Sequence, residues 1–338
     1  MNPEHCVIIG NGPAANEAAL TLRGESRDLR ITVIGQEPVR HYKAYLLPEY
    51  VSGKLAEDDL YVNPPADHRE RDIKLRLGQK VETVSFDTRE IILDHKEVVR
   101  FDSLIVAVGG IPRIPERLQV FSDLFLALKT LADARIWKQK LKDAETILMV
   151  GGDLTSLSFT KALLAMGKRV IFMINEDSFW PLRFDDEIRS QVTERLTAKG
   201  VEVLNRRTIK GLAGISENEV EIETDAEKLS VNAVGAFFGL VPNVKFLARS
   251  GLHIDRGILV DDYLRTRFAG VYAAGDCAQV YHPELRDYWV SIGYKNAWNL
   301  GKIAALNLIG GKIRAQAVAQ SIFRVGGIAV NTSWWTEF

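Results

Sequence analysis

Short runs of consecutive apolar residues, each followed by a glycine-rich turn and then a helical stretch, set the rhythm of this chain. Residues 6–9 are all apolar and lead into Gly10-Asn11-Gly12-Pro13-Ala14-Ala15. A helix is predicted over 16–23, and residues 31–34 form the next strand. The same order returns later. Residues 147–150 are apolar, Gly151-Gly152-Asp153 follows, a helix runs to about Met166, and 170–174 is again a strand. Apolar strands alternating with helices predict parallel, doubly wound sheets. Two such units in one chain point to two nucleotide-binding domains.

Between and after them the pattern changes. Residues 89–99 alternate like an antiparallel ribbon. Residues 102–108 read as a buried strand that stops at Gly109-Gly110-Ile111-Pro112, and Pro115 adds a second break. A helix is predicted over 126–142, with strands at 219–224 and 229–236. Gly239-Leu240-Val241-Pro242-Asn243 closes the second unit. A strand at 271–274 runs into Gly275-Asp276, and a long helix is predicted over 292–309. The last stretch is mostly apolar and carries Trp334 and Trp335. No repeat or low-complexity tract is evident. The boundaries expected are 1–112, 113–236, 237–312, and a short tail over 313–338.

Composition narrows the class. The chain has 338 residues, which fits two domains. Hydrophobic residues make up 46% and charged residues 26%, as in ordinary soluble proteins. The net charge of −1 gives no reason to expect nucleic acid or an anionic membrane as partner. Only Cys6 and Cys277 are present, which excludes a disulfide framework and a multi-thiolate cluster or zinc site. Two cysteines suit a reducing compartment. No apolar run reaches the length of a membrane span and no secretory signal is visible, so a cytoplasmic protein is expected. The six scattered histidines show no metal spacing, and no metal site is expected.

The first turn carries the strongest chemistry. Gly10 permits a tight turn, Gly12 lets backbone approach a pyrophosphate, and Ala15 is small enough for helix–strand packing. The helix start supplies N–H donors and a positive dipole end. A ribose needs an acid after the next strand, and Glu37 is the acid in reach. A strand ending in Gly275-Asp276 suits a second contact with a nucleotide cofactor, although an aspartate capping a helix explains it equally well.

Taken in order, Gly10-x-Gly12-x-x-Ala15, the Ala107-Val108-Gly109-Gly110 strand end, the second Gly-rich turn, Gly239–Asn243 and the segment from Thr266 to Asp276 resemble the FAD-dependent pyridine-nucleotide-disulfide oxidoreductases. The branch they are most similar to is that of the NADH:rubredoxin and ferredoxin reductases and the nitrite reductase flavin domain. The resemblance covers about 6–310. It implies an α/β protein of two Rossmann-like, three-layer ββα domains, the second inserted in the first. By the same resemblance Gly10, Gly12, Pro13, Ala14 and Ala15 hold the FAD pyrophosphate. Glu37 and Pro38 lie by the adenosine ribose and Val81 by the adenine. Ala107, Val108 and Gly109 line the cofactor, and Gly275 and Asp276 meet its ribityl–pyrophosphate portion. Gly151 and Gly152 belong to the NAD(P)-binding-like turn.

Departures cluster in the second unit. Asp153 and Ser156 stand where the family has glycines, Ile174 where an acid would hold an NAD ribose, with Asn175 and Glu176 after it, and Ser158 where relatives carry a helix glutamate. Asp153 reads best as a helix N-cap. Nucleotide binding there is expected to be weakened, altered or absent. In the run Tyr42-Lys43-Ala44-Tyr45-Leu46-Leu47-Pro48 the family's basic position falls on Ala44. Lys43, one residue early, is either a catalytic lysine at the flavin or a solvated loop charge. Cys6 and Cys277 read as core, so disulfide chemistry is not expected. Trp289 and Trp298 read as core better than as an electron path. The tail beyond Gly310-Gly311 is too short for a domain with its own core, and Trp334 and Trp335 either anchor a partner or pack on their own domain.

The reading is an FAD-dependent oxidoreductase passing electrons between NAD(P)H and an iron–sulfur protein that brings its own cluster. A homodimer is compatible with it. The alternatives are an FAD relay subunit with a vestigial NAD(P) domain, and a non-catalytic FAD-binding interaction or sensor protein.

Overall fold

The computed structural model describes residues 4–62, 67–175, 178, 186–283, 286–291, 293–316, 322–325 and 328–331. The chain forms two compact units. The first comprises Met1–Tyr42, Tyr61–Ile111 and Val241–Phe338, the second Lys43–Leu60 and Pro112–Leu240. The crossings at 111/112 and 240/241 lie beside the glycine–proline breaks of the sequence. A further excursion, Lys43–Leu60, belongs to the second unit; nothing in its composition announces it.

In the first unit, five parallel strands lie in the order Val271–Ala273, Ser103–Val106, His5–Ile9, Arg30–Gly35, Ile73–Leu77. His5–Ile9 and Ser103–Val106 are buried along their whole length, as a parallel sheet covered on both faces requires. Helix Pro13–Glu25 buries Ala14, Ala15, Ala18, Ala19 and Leu22, and helix Tyr294–Leu308 buries Ala297, Leu300, Gly301, Ala304 and Ala305. Small side chains let these two helices come close. The antiparallel ribbon of Val81–Ser85, Glu90–Leu93 and Val98–Arg100 shares the sheet's core through Val84, Phe86, Ile91 and Leu93. A separate five-stranded sheet runs Ile258–Val260, Ala278–His282, Asp287–Ser291, Ile328–Asn331, Ile322–Val325. Trp334 and Trp335 lie outside the described residues.

The second unit repeats the plan. Its parallel sheet runs Glu202–Asn205, Arg169–Ile174, Thr146–Gly151, Ala233–Phe237, Phe125–Leu126. Its ribbon is Ile209–Ser216, Glu219–Thr224 and Lys228–Val231. The strand expected over 229–236 is two strands in different sheets. The break is Asn232, whose Oδ1 accepts from the Glu145 and Thr146 amides at 2.9 and 2.8 Å. The helix expected over 126–142 is shorter, Leu131–Lys140, because Thr130 and Asp133 form a capping box that starts it.

Candidate cofactor site

Four of the five parallel strands in the first unit end at chemically distinctive loops: Gly10–Ala15, Glu37-Pro38, Ala107–Gly109 and Gly275-Asp276. Because the strands are parallel neighbours, these loops leave one carboxyl edge of the sheet. Gly10 sits at φ +121°, and a Cβ on it would stand 2.1 Å from the Ala107 carbonyl oxygen. The Ala107 amide donates to Ile9 O at 2.8 Å, so that loop is held against the turn. Gly275, at φ +77°, is in van der Waals range of Ala14 and Ala297, a Cβ position 3.1 and 3.5 Å from theirs. The strand end at Gly275 thereby touches the first turns of both long helices.

Helix Pro13–Glu25 begins at Gly12, whose backbone is extended and where no side chain caps the helix. Pro13 has no N–H to leave unsatisfied, which suits it to the first helical position. The amides of Ala14 and Ala15 occupy the positions a cap normally engages. A Cβ on Gly12 would meet nothing within 4 Å. An uncapped helix start beside open space, with positive dipole charge, fits a bound phosphate.

The turn is fixed from beneath by Asn16, which is buried. Its Nδ2 donates to Asn11 O at 2.9 Å, Asn11 Oδ1 at 3.0 Å and Gly12 O at 3.0 Å. Its Oδ1 takes the Nε2 proton of buried His68 at 2.9 Å. Sequence reasoning missed both residues. The available signal was a lone amide among the alanines of the first helical turn. Asn11 also donates to Val39 O at 2.9 Å, tying the turn to the loop that carries Glu37. Half-buried Glu37 accepts from Tyr42 Oη at 2.8 Å, so its carboxylate is oriented. Pro38 packs at Gly78, and Val81, three residues further, is buried in the core. His41 stacks on Tyr294 with ring centroids 6.0 Å apart, and burial pushes its imidazole down to about 4, with His68 adding to the effect.

Lys43 opens the 3-10 turn Ala44–Leu46 and donates its amide to Leu60 O at 2.9 Å. It belongs to the second unit, whereas Tyr42 belongs to the first. Cys6 and Cys277 are free and fully buried, and burial pushes their thiols up to about 12 and about 11. Trp289 is core, while Trp298 is partly exposed beneath Lys302.

In the second unit Gly151 plays the part of Gly10. Its φ is +93° and a Cβ would stand 2.4 Å from Phe237 O. Gly152 donates to that same oxygen at 2.6 Å. The likeness stops at Asp153, which caps helix Leu154–Ala165. Asp153 Oδ1 accepts the Ser156 amide at 2.8 Å, and Ser156 Oγ accepts the Asp153 amide at 2.9 Å. Burial raises the Asp153 carboxyl; the Ser156 and Thr155 amides and Lys129 oppose that shift. Ile174 is buried, and the following Asn175 donates its amide to Ser178 Oγ at 2.9 Å. Glu176 lies outside the described residues.

The family model for pyridine nucleotide-disulphide oxidoreductases matches residues 4–297. The chain belongs to this family. Its members use FAD and NAD(P)H, and the chain is an FAD-dependent oxidoreductase of that class. It is 29% identical over 278 residues to the nitric oxide reductase FlRd-NAD(+) reductase of Escherichia coli strain SE11, spanning 81% of this chain and 72% of that one. Its fold matches the covalent putidaredoxin reductase–putidaredoxin complex with TM-score 0.85 at 23% identity, over 96% of this chain and 79% of that one. A water-forming NADH oxidase from Lactobacillus brevis superposes with TM-score 0.83 at 20% identity, over 92% and 70%. The mixed α/β fold with parallel sheets is that of FAD/NAD reductases with two Rossmann-like domains, as expected from the sequence. No helix among the described residues is long and apolar enough to cross a membrane.

Proposed function

We propose that the first unit of this flavoprotein passes electrons to an iron–sulfur protein. The observation that carries the reading is the uncapped start of helix Pro13–Glu25 over open space at Gly12. There Gly12, Ala14 and Ala15 would hold the FAD pyrophosphate, with Gly10 and Pro13 shaping the turn. Glu37, oriented by Tyr42, would take the adenosine ribose, with Pro38 and Val81 toward the adenine. Ala107, Val108, Gly109, Gly275 and Asp276 would line the rest. When bound, FAD supplies an isoalloxazine that accepts electrons in pairs and releases them singly. Helix Tyr294–Leu308, also without a side-chain cap, adds a second positive dipole end that favours anionic charge nearby.

A protein acceptor is supported by two comparisons: the E. coli relative is named for reducing FlRd, and the putidaredoxin reductase structure contains its putidaredoxin. Both surviving cysteines of this chain are sealed in the core, so a cluster would come from the partner. The test is to photoreduce the purified flavoprotein without oxygen and add an excess of oxidised rubredoxin or putidaredoxin. Single-turnover reoxidation of the flavin at micromolar acceptor is expected, two one-electron acceptors being reduced per FAD. Reoxidation no faster than by buffer would sink the reading.

The closed second turn favours the other reading, in which this FAD is a relay whose electrons come from a protein. Anaerobic NADH and NADPH separate the two, since rapid bleaching of the flavin absorbance requires a working nucleotide site.

A further inference from the structure

We infer that the Asp153–Ser156 pair is a built-in substitute for the pyridine-nucleotide pyrophosphate, so that the second unit of this chain is closed to NADH and NADPH. The inference rests on reading that unit as the family's nucleotide domain and concerns what its turn now does. The two turns are superimposable in role up to one residue. Gly10 and Gly151 both bring backbone against a neighbouring strand end at a distance no side chain permits. The next equivalent pair, Gly12 and Asp153, are both N-caps with extended backbone.

From there they diverge chemically. Gly12 leaves its helix start uncapped, whereas at Asp153 a carboxylate takes the Ser156 amide at 2.8 Å. That amide is one of those which, in an open turn, would meet a phosphate oxygen. Ser156 Oγ closes the pair by accepting the Asp153 amide at 2.9 Å and donating to Asp153 O at 2.7 Å. The carboxylate thus does to the helix start what a phosphate would do, from inside the protein. A dinucleotide entering would have to displace it and then lie beside a partly buried acid. Like charges brought together there repel, and the displaced aspartate would lose its amide partner.

A second, independent feature agrees. The next strand, Arg169–Ile174, ends in a buried isoleucine rather than an acid. Its follower Asn175 is tied into a local turn, its amide donating to Ser178 Oγ at 2.9 Å and its Oδ1 accepting from that hydroxyl at 3.2 Å. Positions 174 and 175, where an acid would take the ribose of a nucleotide in an open turn, are thus occupied by a core side chain and a locally bonded amide.

The test is calorimetric titration of the full-length, FAD-loaded protein with NADH and with NADPH at pH 7.5. Wild type, Asp153→Gly, Asp153→Asn and Ser156→Ala are compared, each checked for FAD content and melting temperature. Wild type is expected to show no saturation up to about 1 mM nucleotide. Asp153→Gly is expected to bind at least about tenfold tighter. Asp153→Asn, which keeps the cap geometry without the charge, should show a smaller gain and remains informative if the glycine variant misfolds. Ser156→Ala should not bind better, because the carboxylate stays. Wild-type binding on the order of 10 µM, or no gain in a folded Asp153→Gly or Asp153→Asn protein, overturns the inference. Failure of the reduced flavin to feed rubredoxin or putidaredoxin would count against the proposed acceptor while leaving the titration result standing, so the two readings fail separately.

Discussion

Gly301 rests on the backbone of Ala14: a Cβ on Gly301 would stand 2.1 Å from the Ala14 oxygen and 2.7 Å from its Cα. This contact lets helix Tyr294–Leu308 lie against the first turn of helix Pro13–Glu25. It places Ala297 beside Gly275, and so brings two loops of the candidate cofactor site, Gly10–Ala15 and Gly275-Asp276, to the same pair of helices. Gly301→Ala must force the helices apart, since backbone cannot step aside like a flexible side chain. Overpacking of this kind costs about 1–3 kcal/mol. A lower melting temperature is expected together with loss of copurifying FAD, read from the ratio of flavin to protein absorbance. Unchanged FAD content would show that the site tolerates separation of the helices.

Gly10 and Gly12 should separate folding from binding. Gly10→Ala meets both a positive φ and the Ala107 carbonyl, so it should lower the melting point and abolish FAD retention. Gly12→Ala meets nothing within 4 Å and has φ −83°, so its melting point should stay close to wild type. The new methyl instead enters the open space beside the uncapped helix start. FAD affinity should drop by roughly tenfold or more, a loss of about 1.4 kcal/mol per factor of ten. An FAD affinity of Gly12→Ala equal to that of the wild type would remove the pyrophosphate from that spot.

The thiols should be inert. Burial holds Cys277 at about 11 and Cys6 at about 12, so neither supplies thiolate near neutral pH. Native protein at pH 8 should show no labelling by iodoacetamide, with two thiols labelled in denaturant. Rapid native labelling of either would reopen thiol chemistry for this chain.

Acid should weaken the first unit through His41. Its imidazole is held near 4 by burial against an ordinary value of 6.5, so the folded state binds its proton less readily than the unfolded one. The neutral ring's contribution is complete above pH 6.5 and is lost as pH falls toward 4. His5, also lowered by burial, adds in the same direction. Thermal melts between pH 7.5 and 4.5 should decline, and His41→Gln should flatten the slope even if its melting point at pH 7.5 is lower. An identical slope in the variant would assign the acid sensitivity elsewhere.

Much of this was legible in the residues themselves. Steric limits at a tight strand–helix turn act within a few residues, so the turns at Gly10 and Gly151 and the cap at Asp153 are announced locally. The apolar runs at 6–9 and 147–150 could only be buried parallel strands, and two cysteines fixed from the outset that no disulfide framework exists. What depends on packing between distant segments was not legible. Gly301 looks like any helical glycine until Ala14 is placed against it, nearly the whole chain away. Asn16, in helix Pro13–Glu25, and His68, in the short helix Asp67–Glu70, meet only once the unit has folded. The strand expected over 229–236 divides at Asn232 because its two halves pair with different sheets, a choice made by partners and not by the run itself. The segment Lys43–Leu60 joined the second unit for the same reason. Local sterics and hydrophobic period are written in sequence, while partner choice is decided by the surfaces that remain to be buried once the sheets have formed.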